Sequence, residues 1–141
     1  MRYELQIGLP SHMFDPRRKM HCVFLDYDGM SSRRVVNNCR MLQKKHMLPN
    51  FHIYRTGRGF HAVCFTQLPF SAMMEVVFDS LADPKFKRFT LQKRFATLRI
   101  TPKGGKPVRY YMPVRGNKIT LEERRMVHVY NTFLEAVSKN G

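Results

Sequence analysis

Residues 2 to 9 alternate. Tyr3, Leu5, Ile7 and Leu9 face one way, Glu4 and Gln6 the other, which predicts a strand. His21 to Tyr27, centred on Val23, Phe24 and Leu25, predicts a second. From Ser31 or Ser32 as cap, the period becomes helical to about His46. Val35, Cys39 and Leu42 share one face, while Arg33, Arg40 and Lys44 lie off it. Phe51 to Tyr54 and Phe60 to Thr66 are strands joined by Gly57-Arg58-Gly59, hence a hairpin. Ser71 opens a helix with Met73, Val76, Val77 and Leu81 at helical spacing. Asp83 and Pro84, as N-cap and first helical residue, start a short basic helix. Phe95 to Thr101 and Val108 to Met112 are further strands. Thr120-Leu121-Glu122-Glu123 reads as a capping box, opening a helix with Met126, Val129, Tyr130, Phe133 and Val137 on one side.

From Cys22 the order is strand, helix, strand, strand, helix, strand. That is the split βαβ, ferredoxin-like arrangement also used by RRM domains. The expected class is therefore α+β: an RRM-like sheet with helices packed on one face, an extra N-terminal strand and a C-terminal helix. No linker-like stretch divides the chain, so residues 1–141 are expected to form one domain. Many unrelated functions use this fold, and it names none of them.

Charge narrows the field. The chain has 25 Lys and Arg against 10 Asp and Glu, a formal net charge of +15. An excess of that size points to a polyanionic partner. Apolar stretches are short and broken by charge, so no membrane span is expected. The N-terminal residues lack a signal peptide's apolar region. Three cysteines, Cys22, Cys39 and Cys64, without a CxxC pair, fit a reducing compartment. The expected location is intracellular, not secreted.

Three segments carry candidate chemistry. In Phe24-Leu25-Asp26-Tyr27-Asp28-Gly29, two carboxylates two apart in a strand share a face. Like charges that close repel unless a cation lies between them, and Mg²⁺ or Mn²⁺ shared with a phosphate meets that need. Asp28-Gly29 is also good turn chemistry, which leaves Asp26 unexplained. In Tyr54-Arg55-Thr56-Gly57-Arg58-Gly59-Phe60-His61, glycines allow close approach of a phosphate, and Arg55 and Arg58 add bidentate donors. The same segment also reads as a plain hairpin with solvated arginines and a packed histidine. In the third, Arg99 shares a strand face with Thr97 and Thr101, and Lys103-Gly104-Gly105-Lys106 follows. A mid-strand arginine needs a partner, either a ligand phosphate or Asp26 or Asp28 across the sheet. His12, His21, His46, His52 and His128 show no usable spacing, and Cys39 with His46 is too isolated for zinc.

These elements resemble the archaeo-eukaryotic primase superfamily, which includes primase-polymerases. Val23-Phe24-Leu25-Asp26-Tyr27-Asp28 matches its hhhDhD strand, and Gly59-Phe60-His61 its small-x-His element, with Gly where Ser is usual. The resemblance covers residues 20 to 106. It implies metal-dependent nucleotidyl transfer from nucleoside triphosphates on a DNA or RNA template. Asp26 and Asp28 would hold Mg²⁺ or Mn²⁺. His61, with Arg55, Thr56, Arg58, Arg99, Lys103 and Lys106, would hold the triphosphate. The small size further suggests a replication protein of a virus or mobile element. The family's third acid has no counterpart on the last core strand: no acid occurs between Asp83 and Glu122, and Glu75, Asp79 and Asp83 sit on or beside a helix. A degenerate, non-enzymatic single-strand binder is therefore the second reading. Its stacking candidates are Phe51, Tyr54, Phe60, Phe65, Tyr110 and Tyr111.

Overall fold

The computed structural model describes residues 6–138. In chain order the elements are β1 (Gly8–Pro10), β2 (Met20–Asp28), α1 (Ser32–His46), β3 (Phe51–Arg55) and β4 (Gly59–Pro69). They continue with α2 (Phe70–Asp79), α3 (Pro84–Lys93), β5 (Thr97–Arg99), β6 (Arg109–Val114) and α4 (Glu123–Ser138). The fold is α+β, with two antiparallel sheets and four helices among the described residues. Of the strand expected over 2–9, residues 2–5 lie outside the described residues, and β1 begins at Gly8. Among the described residues no helix is long and apolar enough to cross a membrane.

The larger sheet has the order β2-β4-β3-β6. Its longest pairing is β2 against β4, in register from Val23↔Cys64 to Asp28↔Gly59. β2 and β4 bury apolar side chains on both faces, so they read as continuous apolar runs rather than alternating ones. The expected last core strand is not in this sheet. β5 pairs with β1 in a separate ribbon, Gly8↔Arg99 to Pro10↔Thr97. The free edge of β2 is already occupied: Cys22 N–H donates to Ser11 O, and Asp83 N–H donates to Asp26 O, both at 2.8 Å.

Helices lie on both faces, which corrects the expectation of one. On the first face, Tyr27 Oη donates to Asn38 Oδ1 of α1 (2.7 Å), which also accepts Leu81 N–H just beyond α2 (3.0 Å). On the opposite face sits α4. Its fully buried Tyr130 meets the rings of Phe24, Tyr54 and Phe65 at centroid distances of 6.1, 5.0 and 5.7 Å. Those three aromatics would otherwise face water, and covering them removes several hundred Å² from solvent. α4 covers the end of this face that holds Phe65. The end that holds Asp26 stays open.

The helix starts depart from the expected caps in informative ways. Ser31 caps α1 by accepting from Arg34 N–H (3.3 Å). α2 begins at Phe70, after Pro69, with Ser71 already helical. Before α4, Glu122 is left-handed (φ 63°) and Thr120 gives only its carbonyl. Glu123 sends its carboxylate to His52 Nε2 at 2.7 Å instead of back to a cap. Asp83 occupies the N-cap position of α3 but makes no capping bond, which leaves its carboxylate free.

Gly59 starts β4 opposite Asp28. A Cβ there would lie 2.0 Å from Tyr27 O, a backbone atom that cannot step aside. Glycine is thus required at the point where the hairpin meets the Asp26–Asp28 strand. Gly59→Ala should lower stability by about 3 kcal/mol, or roughly 10 °C in melting temperature. Thermal denaturation followed by circular dichroism checks this, and an unchanged melting point would mean the strands can part at no cost.

Candidate functional site

Strand alternation and register build the site. Asp26 pairs with His61, and Asp28 with Gly59, so Asp26, Asp28 and His61 share the face opposite α1 and α2. The β3–β4 turn is tied down by Thr56 N–H to Gly59 O (2.9 Å) and Gly59 N–H to Thr56 Oγ1 (3.1 Å). Beyond β5, paired backbone bonds between Lys103 and Lys106 (both 3.1 Å) close a tight turn through Gly104 and Gly105, both at positive φ. The Lys106 stem then passes close to Gly57.

These segments surround an open cleft of about 610 Å³. Of the expected site residues, Asp26, Asp28, Thr56, Arg58, His61, Arg99, Lys103 and Lys106 all line it. Arg55 does not. Its guanidinium lies over the Tyr111 ring at 4.7 Å, because alternation along β3 turns it to the other face. Arg99 makes no ion pair with Asp26 or Asp28 among the described residues; its Nη1 donates to Thr101 O. The pairing across the sheet is therefore absent, and the guanidinium borders the cleft.

Asp83 also lines the cleft, and sequence reasoning set it aside as a helix-end residue. Its N–H holds Asp26 O, and its side chain, which makes no capping bond, belongs to the same cleft lining as Asp26 and Asp28. No local pattern announces this, because the contact depends on where α3 docks against β2.

Charge in the cleft is unbalanced at Asp26. Burial, then the Asp83 and Asp28 carboxylates, push its carboxyl up to about 6, against the pull of Arg99 and Lys103. His61 goes the other way. Burial, then the Arg99 charge, lower it to about 3, so at neutral pH it is uncharged. Its Nε2 stands 3.6 Å from Asp26 Oδ1, beyond a good hydrogen bond, and its Nδ1 is buried without a partner. At neutral pH His61 thus offers the cleft a ring N–H and no positive charge.

The stacking candidates fare poorly. Phe51, Tyr54 and Phe65 are fully buried, and Phe60 nearly so. Tyr110 and Tyr111 are exposed, but the Tyr110 hydroxyl is held by His52 Nδ1 (2.9 Å) and Tyr111 lies under Arg55. Three of the other five histidines have hydrogen-bond partners, His21 with Ser11, His46 with Asp79 and His52 with Glu123, and the His12 ring packs edge-on against His21 and Phe95. Cys22, Cys39 and Cys64 are free and buried, with burial raising each thiol, to about 12 for Cys22 and Cys39. Among the described residues, no three His, Cys, Asp or Glu side chains stand together as a ready-made metal-ligand set.

No protein-family model matches the chain, and no curated protein or solved structure matches it.

A carboxyl raised above its unfolded value favours the fold when protonated. Its contribution is fully present below about pH 4 and is lost as pH rises through about 6. Asp26→Asn should therefore melt higher than the parent at pH 7.5. The gain should vanish below about pH 4, where the parent's Asp26 is also neutral. With 41 % of the side chain exposed, solvent screening reduces the effect to about 1 kcal/mol, or roughly 3 °C. His61 works in the opposite sense in both proteins, losing stability as pH falls below about 6.5, so only the parent–variant difference reports Asp26. Melting curves between pH 4 and 7.5 measure it, and a difference that stays constant with pH would mean that Asp26 titrates in the fold as it does in the unfolded chain.

Proposed function

We propose that the chain is a metal-dependent nucleotidyltransferase of the primase-polymerase type, extending a nucleic-acid strand from nucleoside triphosphates on a DNA or RNA template. The observation that carries this reading is one cleft lined by three carboxylates, Asp26, Asp28 and Asp83, together with Arg58, Arg99, Lys103 and Lys106. A purely anion-binding cleft would not gather acids from a chain with only ten. A purely cation-binding one would not gather four cations. A triphosphate bound with a divalent ion needs both.

The donor set fits Mg²⁺ or Mn²⁺. It consists of hard oxygens, and the repulsion of Asp83 and Asp28, which adds to burial in raising Asp26, is what a cation relieves. Mg²⁺ commonly takes one or two carboxylates and completes its shell with water and substrate phosphate, so a preassembled three-ligand cage is not required. Asp26 and Asp28 would hold the ion, with Asp83 supplying the further acid that the last core strand lacks. Bound there, the ion would neutralise phosphate charge.

The chain's own groups do the rest. Arg58, Lys103 and Lys106 would grip the β- and γ-phosphates, with Thr56 at the turn. Arg99 would lie toward the α-phosphate and meet charge as it develops. His61 would give a neutral N–H from the buried base of the cleft. In the transfer, the 3′-hydroxyl oxygen forms a bond to the α-phosphorus, the α–β bridging bond breaks, pyrophosphate leaves and the hydroxyl proton passes to water.

The strand order β2-β4-β3, with α1 and α2 on one face, supports an RRM-like core in which the β1–β5 ribbon and β6 are additions. The net charge of +15 supports a nucleic-acid partner in either reading. Burial of Phe51, Tyr54 and Phe65 weighs against a non-enzymatic binder that relies on base stacking across the sheet.

Calorimetric titration with a nucleoside triphosphate and Mn²⁺ tests the proposal. The parent should bind with Kd on the order of 10–100 µM. Asp26→Asn and Asp83→Asn should each weaken binding at least about tenfold, or 1.4 kcal/mol, and abolish primer extension. Arg55→Ala, outside the cleft, should change neither. No triphosphate binding by the parent at millimolar concentration would overturn the reading.

A further inference from the structure

The cleft does not end at Arg99. A second groove of about 400 Å³ adjoins it, and Asp26, Asp83 and Arg99 line both. One wall of this groove is α3. Lys85, Phe89 and Lys93 recur at every fourth position, so they form one stripe, and all three line the groove. Eight residues of helix span about 12 Å, the reach of a few nucleotides. Phe89 is 47 % exposed, with the Lys85 ammonium 5.7 Å from its ring centroid.

The other wall is the β1–β5 ribbon. Gly8 brings the two strands so close that a Cβ would fall 2.3 Å from Thr97 Cγ2. Lys93 Nζ reaches across from α3 to Thr97 Oγ1 at 3.1 Å and lies 5.0 Å from the Phe95 ring centroid, at the ribbon side of the groove. α3 contains no acid, and Lys87, on another side of the helix, is occupied by the carbonyls of Phe78 and Ser80. An exposed ring with a groove-lining lysine one helical turn to either side, Lys85 close to it and Lys93 held toward the ribbon, matches one stacked base with a phosphate on either side. A polynucleotide repeats base and phosphate at every residue, the alternation this stripe offers, whereas an acidic peptide would need an apolar side chain set between two acids.

Resting on the nucleotidyl-transfer reading, we propose that a single-stranded polynucleotide lies along this α3 groove as the acceptor, its end meeting the triphosphate at Asp26 and Asp83. Phe89 stacks a base, and Lys85 and Lys93 hold the flanking phosphates. The triphosphate occupies the neighbouring cleft, and the shared carboxylates mark the junction.

Fluorescence anisotropy with labelled 12-residue oligothymidylate and oligouridylate tests this, beside calorimetry of triphosphate with Mn²⁺. Phe89→Ala should weaken oligonucleotide binding about tenfold. Phe89→Leu, which keeps the apolar volume without the ring, should do nearly the same. Lys85→Ala with Lys93→Ala should weaken it comparably and flatten the log–log salt slope by about 1.4. None of these should alter triphosphate binding. Arg40→Ala with Lys44→Ala, the same charge removed from a separate basic pocket on α1, should have less than half the effect. The tighter of the two oligonucleotides identifies the strand chemistry. Binding of neither, parent-like binding by both Phe89 variants, or an equal loss in the α1 control overturns the proposal. If Phe89 and the lysine pair matter but the parent binds no triphosphate, the strand site stands and the nucleotidyl-transfer reading falls.

Discussion

Everything in the cleft hangs on the pairing of β2 with β4. Because side chains alternate along a strand, a slip of one residue would exchange the two faces. Asp26 and Asp28 would then point into the layer under α1 and α2, and Tyr27 would leave Asn38 for water. Burying Tyr27 and its hydrogen bond to Asn38 holds the register on one side. Gly59 holds it at the end, where only a residue without Cβ fits against Tyr27 O. The carboxylates are thus held together by apolar and backbone contacts that overrule their mutual repulsion.

The second determinant is how the opposite face is shared. Tyr130 of α4 sits on Phe24, Tyr54 and Phe65, and Glu123 fastens the start of that helix to the buried His52. The aromatics that could have formed an open stacking platform became the seat of a helix. What remains uncovered is the charged end. The same face therefore contributes stability at one end and chemistry at the other, and the two ends are joined by continuous strands.

Much of this was legible in the sequence, for identifiable reasons. Alternation fixes the common face of Asp26 and Asp28, and the glycines mark the hairpin and the Lys103–Lys106 turn, so eight of the nine proposed site residues line one cleft. Arg55 was misassigned because its segment was read as a unit, although strand alternation turns it away from His61. Asp83 was missed because an N-cap position suggests a side chain spent on its own helix. Only the docking of α3 on the β2 edge reveals that it is not. The β1–β5 pairing and the seat of α4 are likewise tertiary choices, set by which edges and aromatic faces are left unfilled rather than by any local period.

The cleft has one further property, which follows from its two separate sheets. Asp26, Asp28 and His61 belong to the large sheet, whereas Arg99 and the Lys103–Lys106 turn extend from the three-residue ribbon. No continuous ladder spans the gap between them. What joins them among the described residues is one backbone bond, Cys22 N–H to Ser11 O, the Ser11 Oγ–His21 Nδ1 bond beside it, and a common apolar core into which the ribbon and its flanking residues bury Leu9, Ala96, Leu98 and Ile100. The groups that meet in the cleft are therefore set by two different pairings: Asp26, Asp28, His61 and Arg58 by the large sheet, Arg99, Lys103 and Lys106 by the ribbon and the turn beyond it. The spacing between these two sets is thus fixed by how Leu9, Leu98 and Ile100 pack into the core, so a substitution in that apolar contact reaches the cleft without touching any residue that lines it.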